Sequence, residues 1–434
     1  MTPASLLEGA DIATPISGGY LASLRGPLGR ATGLSMPVGG LIDVEVGDQF
    51  VPAEVVGFRD GAIEFMSLRD LRGATPGCRV WPRAPIASVP AGDFLLGRVV
   101  DGLGEPADGG PAFPSGARAR LYQTPIPALQ RRVLSQPLDV GVASLNALAT
   151  FARGQRMGLF AGAGLGKSTL LGMLVRGTSA DVRVVALVGE RGREVREFIE
   201  RELGATRTST IVVAATADTS ALLRMRAAYV ATAIAEHFRD RGADVLLVVD
   251  SLTRFAMAAR EIGLARGEPP ATKGYTPSVF AELPQLLERA GAAQQGTITG
   301  VYSVLVEGDD LDDPVADSLR AILDGHVVLS RALAERGHFP AVDPLASVSR
   351  AMHVVTTPEH RAHASKLRRL LAAYRDARDL IQVGAYAAGS DADVDAAIAR
   401  RGAIEQFLRQ DTSAVRTLAQ SVAGLRAALE GAAK

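Results

Sequence analysis

A glycine-rich loop that leads into Gly-Lys-Ser constrains this chain more than any other stretch. Residues 158–171 read Gly-Leu-Phe-Ala-Gly-Ala-Gly-Leu-Gly-Lys-Ser-Thr-Leu-Leu, an apolar strand end that passes through glycines into a leucine-bearing helix. Glycines let backbone N–H groups curve around a phosphate, and the following helix N-terminus adds its positive end. The stretch is interpreted as a P-loop, with Lys167 on the outer phosphates and the Ser168 hydroxyl on Mg²⁺. The residues expected to hold the nucleotide are Gly162, Ala163, Gly164, Leu165, Gly166, Lys167, Ser168 and Thr169.

One position departs from the strict P-loop pattern. That pattern opens with a glycine, and Ala161 stands in its place. A Gly-Lys-Ser triplet also occurs in ordinary turns, so the alternative is a strand-to-helix turn that binds nothing. The strand before the loop, the helix after it and three nearby glycines favour the phosphate site.

Length and charge narrow the class of protein. The chain has 434 residues, which fits two or three domains, and its 47 basic residues equal its 47 acidic ones. A neutral balance and 5% aromatic residues argue against a broad nucleic-acid surface, so no nucleic-acid partner is expected. The single cysteine, Cys78, excludes an internal disulfide and suits a reducing cytoplasm. We see no signal peptide and no apolar run of membrane-spanning length.

The spacing of apolar residues and the content of Gly and Pro change along the chain, and these changes predict four segments. Residues 1–19 carry glycines and prolines and are expected to form a flexible tail. Residues 20–86 show short alternating runs cut by turns such as Asp60-Gly61, which predict an antiparallel β-barrel or sandwich. Residues 87–354 pass from a Gly- and Pro-rich connection into alternating strands and helices. Residues 355–434 lack strands and predict a helical C-terminal domain.

The central segment has the pattern of an α/β fold. Near-continuous apolar runs alternate with helical stretches, which predicts a parallel sheet covered on both faces, with ligands at the carboxyl ends of its strands. The predicted strands are 157–160, 182–188, 210–215, 245–249, 298–306 and 327–329. The predicted helices are 143–151, 167–176, 194–203, 220–241, 254–265, 278–290, 315–323, 360–378, 393–399 and 412–429.

Two acidic residues follow strands of this sheet. Asp250 ends the apolar run 245–249, as a Walker B carboxylate does, and is expected to hold Mg²⁺; the alternative is a cap of the next helix. Glu190 follows the strand after the P-loop helix, where it would lie beside the γ-phosphate and orient water. Its alternative is a solvated charged helix start. Farther on, Arg350 has no evident local partner and is weighed as an arginine finger against a surface arginine.

Several long motifs support one resemblance. The run 340–350 (Pro-Ala-Val-Asp-Pro-Leu-Ala-Ser-Val-Ser-Arg) resembles the hallmark of the rotary ATPase α/β family, which includes the ATPases of flagellar and type III protein export. The sequence is most similar to the flagellar export branch, which it also resembles at Ala161. The stretches that carry this similarity are 153–162, 189–195, 267–275, 277–280, 307–310, 383–386 and 389–391.

The resemblance implies a RecA-like core, a β-barrel before it and helices after it. It further implies ATP and Mg²⁺ as substrate and cofactor. Glu190 would be the catalytic glutamate, Arg191 a phosphate-side arginine, Arg350 a finger that acts in a neighbouring subunit, and Phe339 the aromatic residue on adenine. Because Glu190 and Arg350 occur in one chain, a homohexamer could be catalytic at every interface.

The implied function is Mg²⁺-dependent ATP hydrolysis that energises flagellar protein export, in the cytoplasm and peripheral to the inner-membrane export apparatus. The implied partners are a stator-like regulator, a central-stalk-like protein, the export gate and chaperone–substrate complexes. Residues 1–19 lack the amphipathic helix that usually docks the regulator, and Pro344-Leu345 look more like rotary β subunits. The alternatives are an injectisome ATPase, a rotary ATP synthase subunit, a hexameric RNA translocase and a nucleotide-binding regulatory subunit.

Two smaller features complete the predictions. The acidic run 307–313 lacks the order of an EF-hand loop, and we expect it to face the pore of the ring. His360 and His363 lie about one helical turn apart and are expected to be on a solvated helix face rather than in a zinc site.

Overall fold

The computed structural model describes residues 18–114, 116–306 and 313–430. The chain divides into two compact units, one that ends at Ser88 and one that begins at Val89. Within the described residues, no helix combines the length and the apolar character that a membrane crossing requires.

The first unit is a closed antiparallel barrel in which the strands follow the order β1-β2-β5-β4-β3-β6. These strands are β1 (Gly19–Arg25), β2 (Leu28–Thr32), β3 (Leu41–Val46), β4 (Gln49–Arg59), β5 (Ala62–Ser67) and β6 (Arg79–Ala84). Asp60 and Gly61 both have positive φ, 51° and 74°, which matches the twist of a tight hairpin between β4 and β5. Alternate side chains such as Ile42, Val44 and Phe65 fill the interior. Of the two predicted forms, barrel and sandwich, the barrel is the one found.

The second unit is built on a mainly parallel sheet in the order β19-β18-β12-β17-β15-β13-β14-β8. Its strands and the short pairs beside it are β7 (Ser88–Pro90), β8 (Val99–Val100), β9 (Arg118–Arg120), β10 (Pro137–Leu138), β11 (Phe151–Ala152), β12 (Arg156–Ala161), β13 (Val182–Glu190), β14 (Thr210–Thr216), β15 (Asp244–Asp250), β16 (Gly291–Ala292), β17 (Thr297–Leu305), β18 (Gly325–Val328) and β19 (Val348–Ser349). All six predicted central strands are confirmed, within a few residues at each end.

Helices cover the sheet and form the C-terminal part of the chain. They are α1 (Ala143–Leu148), α2 (Lys167–Gly177), α3 (Gly192–Glu197), α4 (Ala221–Asp240), α5 (Leu252–Ala265), α6 (Pro277–Leu287), α7 (Pro314–Ile322), α8 (Arg331–Ala334), α9 (Met352–Val355), α10 (Pro358–Gln382), α11 (Ala392–Leu408) and α12 (Leu418–Glu430). Buried apolar residues of β12, β13, β15 and α2 belong to one core, and α10, α11 and α12 pack with α1 around another.

Some predicted helix limits were wrong. The helix predicted over 143–151 ends at Leu148, because Phe151 begins β11 and pairs with Leu138. The helix predicted from residue 412 begins only at Leu418, because the preceding residues form a loop that hydrogen-bonds to other segments. The helix predicted over 393–399 continues to Leu408.

Candidate active site

The predicted P-loop joins β12 to α2 at the carboxyl end of the sheet. Gly164 and Gly166 have φ values of +78° and +86°, in the left-handed region that glycine adopts without strain. Leu165 is buried in the core and anchors the loop, whereas Ala163, Gly164 and Ser168 are exposed. Ala161 still belongs to β12, where it is buried and pairs with Leu305. A strand position needs no positive φ, so alanine serves there as well as glycine.

Three charged side chains meet beside this loop. Lys167 opens α2, Glu190 ends β13 and Asp250 ends β15. Nζ of Lys167 lies 3.4 Å from Oε1 of Glu190 and donates a hydrogen bond to Oδ1 of Asp250. Glu190 and Asp250 are 9% and 2% exposed, so the cluster is nearly closed to bulk water. The structure thus brings three of the predicted site residues together.

Burial and charge together set the protonation of the cluster. Burial disfavours the Glu190 carboxylate and raises its pKa; the nearby Asp250 raises it further, although Lys167 opposes both. Burial also disfavours the Lys167 ammonium, but the attraction of Asp250 and Glu190 outweighs this effect and the pKa of Lys167 is raised. Lys167 therefore keeps its charge, and Glu190 is a stronger base than an exposed glutamate.

Two further residues that interact with this cluster were not predicted from the sequence. Ser303, fully buried on β17, donates its hydroxyl proton to Oδ1 of Asp250. Arg254, on the first turn of α5, packs against Gly189 and attracts the Glu190 carboxylate. Ser303 is a polar residue in an apolar strand, and Arg254 follows Asp250 by about one helical turn. Both signals were present in the sequence, but neither identifies the partner side chain.

Arg191 is not brought into this cluster within the single chain. Its side chain is 76% exposed, and its guanidinium lies 3.8 Å from Glu194 at the start of α3. The side chain thus points into solvent beside the site.

Arg350 lies at the amino end of the parallel strands, whereas Lys167 lies at their carboxyl end. Its amide donates to the carbonyl of Asp324, and the amide of Asp324 donates to the carbonyl of Arg156, the first residue of β12. The P-loop begins after the last residue of that strand, roughly 16 Å farther along at about 3.3 Å per residue. The Arg350 side chain is exposed and donates to the carbonyl of Arg320, 3.3 Å away. It therefore does not reach the phosphate side of its own P-loop.

Phe339 borders a cavity of about 230 Å³ next to the P-loop. Its ring lies beside Gly166, since a Cβ at that glycine would sit 3.9 Å from the ring, and 44% of the residue is exposed. The cavity is smaller than the roughly 300–1,000 Å³ that a whole drug-sized ligand fills, which suits one part of a ligand. It is lined by Leu165, Gly166, Thr169, Leu170, Met173, Leu329, Phe339, Pro340, Ala341 and Thr412.

Comparisons with known proteins agree with this geometry. Residues 141–349 match the nucleotide-binding domain of the ATP synthase alpha/beta family, and residues 356–427 match the C-terminal domain of the T3SS ATPase EscN. The Flagellum-specific ATP synthase of Salmonella typhimurium is 52% identical over 406 residues, which cover 90% of this chain and 89% of that protein. The chain belongs to the flagellar and type 3 secretion ATPase family.

Other members of this export ATPase family support the assignment. The Type 3 secretion system ATPase of Xanthomonas euvesicatoria is 49% identical over 91% of this chain and 90% of its own length. The assembled ATPase EscN of the enteropathogenic E. coli type III secretion system has a TM-score of 0.90 at 41% identity, over 95% of this chain and all of that one. A structure of EscN with its central stalk EscO gives 0.89 at 40% identity, over the same shares of the two chains. The predicted family, fold class and enzyme class, an export-type ATPase, are thus confirmed.

The residues present fit a magnesium ion that is bound mostly by substrate. In the described ranges, no group of three or more His, Cys, Asp or Glu side chains could hold a metal by itself. Mg²⁺ in nucleotide enzymes needs only one or two protein oxygens, because phosphates and water complete its shell. The hydrogen bonds from Lys167 and Ser303 both end on Oδ1 of Asp250. The exposed Ser168 hydroxyl and the Asp250 carboxylate are the groups that would serve.

The prediction for one histidine was wrong. His360 is 5% exposed rather than solvated, and its Nε2 lies 2.8 Å from the carbonyl of Ala147. Burial lowers the pKa of His360 and favours the neutral ring. His360 is thus a packing residue between α10 and α1. The predicted pore loop at Asp309 and Asp310 lies outside the described residues.

Proposed function

We propose that this protein hydrolyses ATP with Mg²⁺ in a ring of six identical subunits and thereby energises flagellar protein export. The observation that carries the proposal is the separation within one chain of two halves of a catalytic site. Lys167, Glu190 and Asp250 meet at the carboxyl end of the sheet, whereas Arg350 lies at its amino end. A site that needs all four residues is complete only where two subunits meet.

The phosphates of ATP would be held by the P-loop amides and Lys167. Lys167 pairs with two buried carboxylates in the single chain, and the phosphates of a nucleotide would offer it a second set of negative oxygens. Mg²⁺, held by Ser168 and Asp250, would supply positive charge to the outer phosphate oxygens. Glu190, freed from Lys167, would accept a hydrogen bond from the attacking water and orient it toward the γ-phosphate.

Arg350 would act as an arginine finger in the neighbouring subunit. A guanidinium stabilises the charge that spreads over the transferring phosphoryl group, and it does so more strongly in a site that excludes water. In the single chain the Arg350 side chain is exposed and is held by a hydrogen bond to the carbonyl of Arg320, which it would exchange for this contact. The exposed Arg191 would turn toward the γ-phosphate from the Glu190 side, and Phe339 would pack on the adenine in the cavity beside Gly166.

The relatives suggest where the protein works and with what. EscN has been seen assembled and with its central stalk, and we propose a homohexamer that binds a central-stalk-like protein. The further proposed partners are a stator-like regulator, the export gate and chaperone–substrate complexes. The proposed location is the cytoplasm, peripheral to the inner-membrane export apparatus. We also propose domain boundaries at residues 19/20, 86/87 and 354/355.

The alternative proposal, an injectisome ATPase, rests on the 49% identity to the Xanthomonas protein, which is close to the 52% identity to the Salmonella flagellar one. Expression in a flagellated strain without its own flagellar ATPase and in a strain without its injectisome ATPase separates the two. Restored motility supports the flagellar function, and restored effector secretion alone supports the other.

The shared site is tested by the dependence of ATP turnover on protein concentration. Turnover per subunit should rise steeply over the concentration range in which sedimentation shows the ring forming, because Arg350 and Lys167 meet only there. The Lys167→Ala variant should assemble without turnover. Full turnover by the isolated monomer would overturn the proposal of a shared site.

A further inference from the structure

The loop between α11 and α12 reaches the cavity that Phe339 borders. This segment, residues 409–412, follows the end of α11 and contributes Thr412 to the cavity wall. The backbone N–H of Gln410 donates to the carbonyl of Phe339, 3.1 Å away. The C-terminal helices therefore touch the base end of the candidate site through one short segment.

The Gln410 side chain fixes this segment from the other side. Its Oε1 accepts a 2.8 Å hydrogen bond from the amide of Ala143, at the start of α1. Its Nε2 donates to the carbonyls of Gly141 and Ala414, each at 2.8 Å. Gln410 is only 5% exposed, so these backbone groups have little access to water as a substitute partner.

Neighbouring residues hold the segment to the P-loop helix and to the Phe339 loop. Arg176, on the last turn of α2, donates to the carbonyl of Thr412 at 2.8 Å. Nε of Arg409 lies 3.5 Å from Nδ1 of His338, the residue before Phe339. The segment is thus bound to both walls of the cavity.

The base of the segment rests on a buried polar network. Nδ2 of Asn146 donates to Asp139 at 2.8 Å and to the carbonyl of Arg416 at 3.0 Å, and the amide of Leu418 donates to Asp139 at 2.7 Å. This network fixes the start of α12 against α1. Gln410 extends this fixed region to Phe339, since its side chain bonds the start of α1 and its backbone N–H bonds the Phe339 carbonyl.

We infer that Gln410 is a positioning residue that holds Phe339 in place against the base of the bound nucleotide. The inference rests on the proposed role of Phe339 as the adenine-packing wall. Gln410 itself lies behind the wall and touches neither the base nor the phosphates. Displacement of the segment would move Phe339 and Thr412 while leaving Lys167 and the P-loop amides in place.

The variant Gln410→Glu tests this with little change of shape. One carboxylate oxygen can still accept from Ala143, but the other would face the carbonyl oxygens of Gly141 and Ala414 and repel them. The segment should shift away from α1 without leaving a void. The variant Gln410→Ala removes all three side-chain bonds, and Gln382→Ala, at the exposed last residue of α10, is the matched control.

The readout compares a ligand with a base and one without. Titration calorimetry on the full-length protein should show that Gln410→Glu weakens ADP binding roughly tenfold, the effect of losing about one hydrogen bond. Inorganic tripolyphosphate, which uses only the phosphate side, should bind within about twofold of wild type. A merely structural defect would weaken both ligands together, and that result would overturn the inference, as would unchanged ADP binding in both Gln410 variants.

Phe339→Ala separates this inference from the proposed function. Loss of base stacking should weaken ADP roughly fivefold or more and leave tripolyphosphate unchanged. If Phe339→Ala leaves ADP binding unchanged, the adenine wall is wrong, and the inference falls with it. If Phe339→Ala weakens ADP and Gln410→Glu does not, only the inference fails. In the double variant the two losses should not add, because both act on one wall.

Discussion

Nζ of Lys167 lies 3.4 Å from Oε1 of Glu190 at the carboxyl end of the sheet, and it also contacts the Asp250 carboxylate. One buried ammonium group thus contacts two buried carboxylates. Removing one partner of such a cluster leaves an uncompensated charge, whereas an entering phosphate replaces one negative partner by another. The arrangement therefore links the release of Glu190 to the binding of nucleotide.

Glu190→Gln should abolish turnover while it preserves ATP binding. The amide keeps the shape of the side chain but cannot accept the water proton, and the loss of a general base lowers rates roughly 10²–10⁴-fold. Steady-state hydrolysis and equilibrium binding of a fluorescent ATP analogue measure the two effects. Glu200→Gln, an exposed glutamate after α3 that pairs with Arg196, is the control and should keep nearly full turnover. Wild-type turnover in Glu190→Gln would contradict the assignment.

Subunits defective in Arg350 should rescue subunits defective in Lys167. Each variant alone is expected to be inactive, because each interface then lacks either the finger or the lysine. In mixed rings, an Arg350→Ala subunit that binds ATP next to a Lys167→Ala subunit that retains Arg350 forms one complete site. ATP hydrolysis should therefore pass through a maximum near equal mixing.

The control for mixing is Arg375→Ala, which removes an exposed arginine of α10. Arg375→Ala should be active alone. When it is mixed with Lys167→Ala, ATP hydrolysis should fall as the fraction of Lys167→Ala subunits rises and should show no maximum. Hydrolysis that stays at zero at every ratio of the two defective variants, in rings shown to exchange subunits, would place Arg350 outside the site.

Ser303→Ala should weaken magnesium binding more than nucleotide binding. The Ser303 hydroxyl donates to Asp250 in a fully buried position, and a hydrogen bond to a charged group contributes about 1.5–3 kcal/mol. The Mg²⁺ concentration for half-maximal hydrolysis should rise roughly tenfold or more. Binding of ATP in EDTA is the internal control and should change little. A parallel loss of binding in EDTA would mean that Ser303 supports the pocket as a whole.

Local motifs made much of the site predictable. Lys167, Glu190 and Asp250 each close or open an element with a clear apolar pattern, and parallel strands bring such ends to one edge of a sheet. The strands of the sheet were predictable for the same reason. The first residue of α12 could not be predicted in this way. Residues 412–417 before it are held as a loop by hydrogen bonds to distant segments, which local propensity does not reveal.

Residues that act through another residue were harder to find. Ser303 reaches Asp250 only because β17 lies next to β15 in the sheet, and this order does not follow from the chain order. The position of Arg350 depends on the antiparallel pairing of β19 with β18. Gln410 contacts residues more than 260 positions away, and no periodic pattern marks it. Such contacts depend on register and topology, which single-sequence patterns do not specify.

An acid-sensitive stability difference should appear at the edge of the sheet. Asp108 accepts two hydrogen bonds from Arg98, at 2.6 and 2.9 Å, and these hold the pKa of its carboxyl well below the usual range; burial opposes them, and the amides of Val99 and Gly110 add to them. Because the folded-state pKa is depressed, the stabilisation is fully present above the unfolded pKa of about 3.9 and is lost as the pH falls toward the lower value.

Asp108→Asn should therefore lower the guanidinium chloride concentration at which the ATPase unit is half unfolded at pH 7. The neutral amide cannot accept both hydrogen bonds of the Arg98 side chain. The difference from wild type should shrink as the pH falls below about 4, because the Asp108 carboxyl of the unfolded chain then binds a proton while that of the folded chain stays ionised to lower pH. Asp48→Asn, at an exposed turn of the barrel, should change the midpoint little at either pH. A difference that is the same at pH 7 and pH 3 would show that Asp108 acts through shape rather than charge.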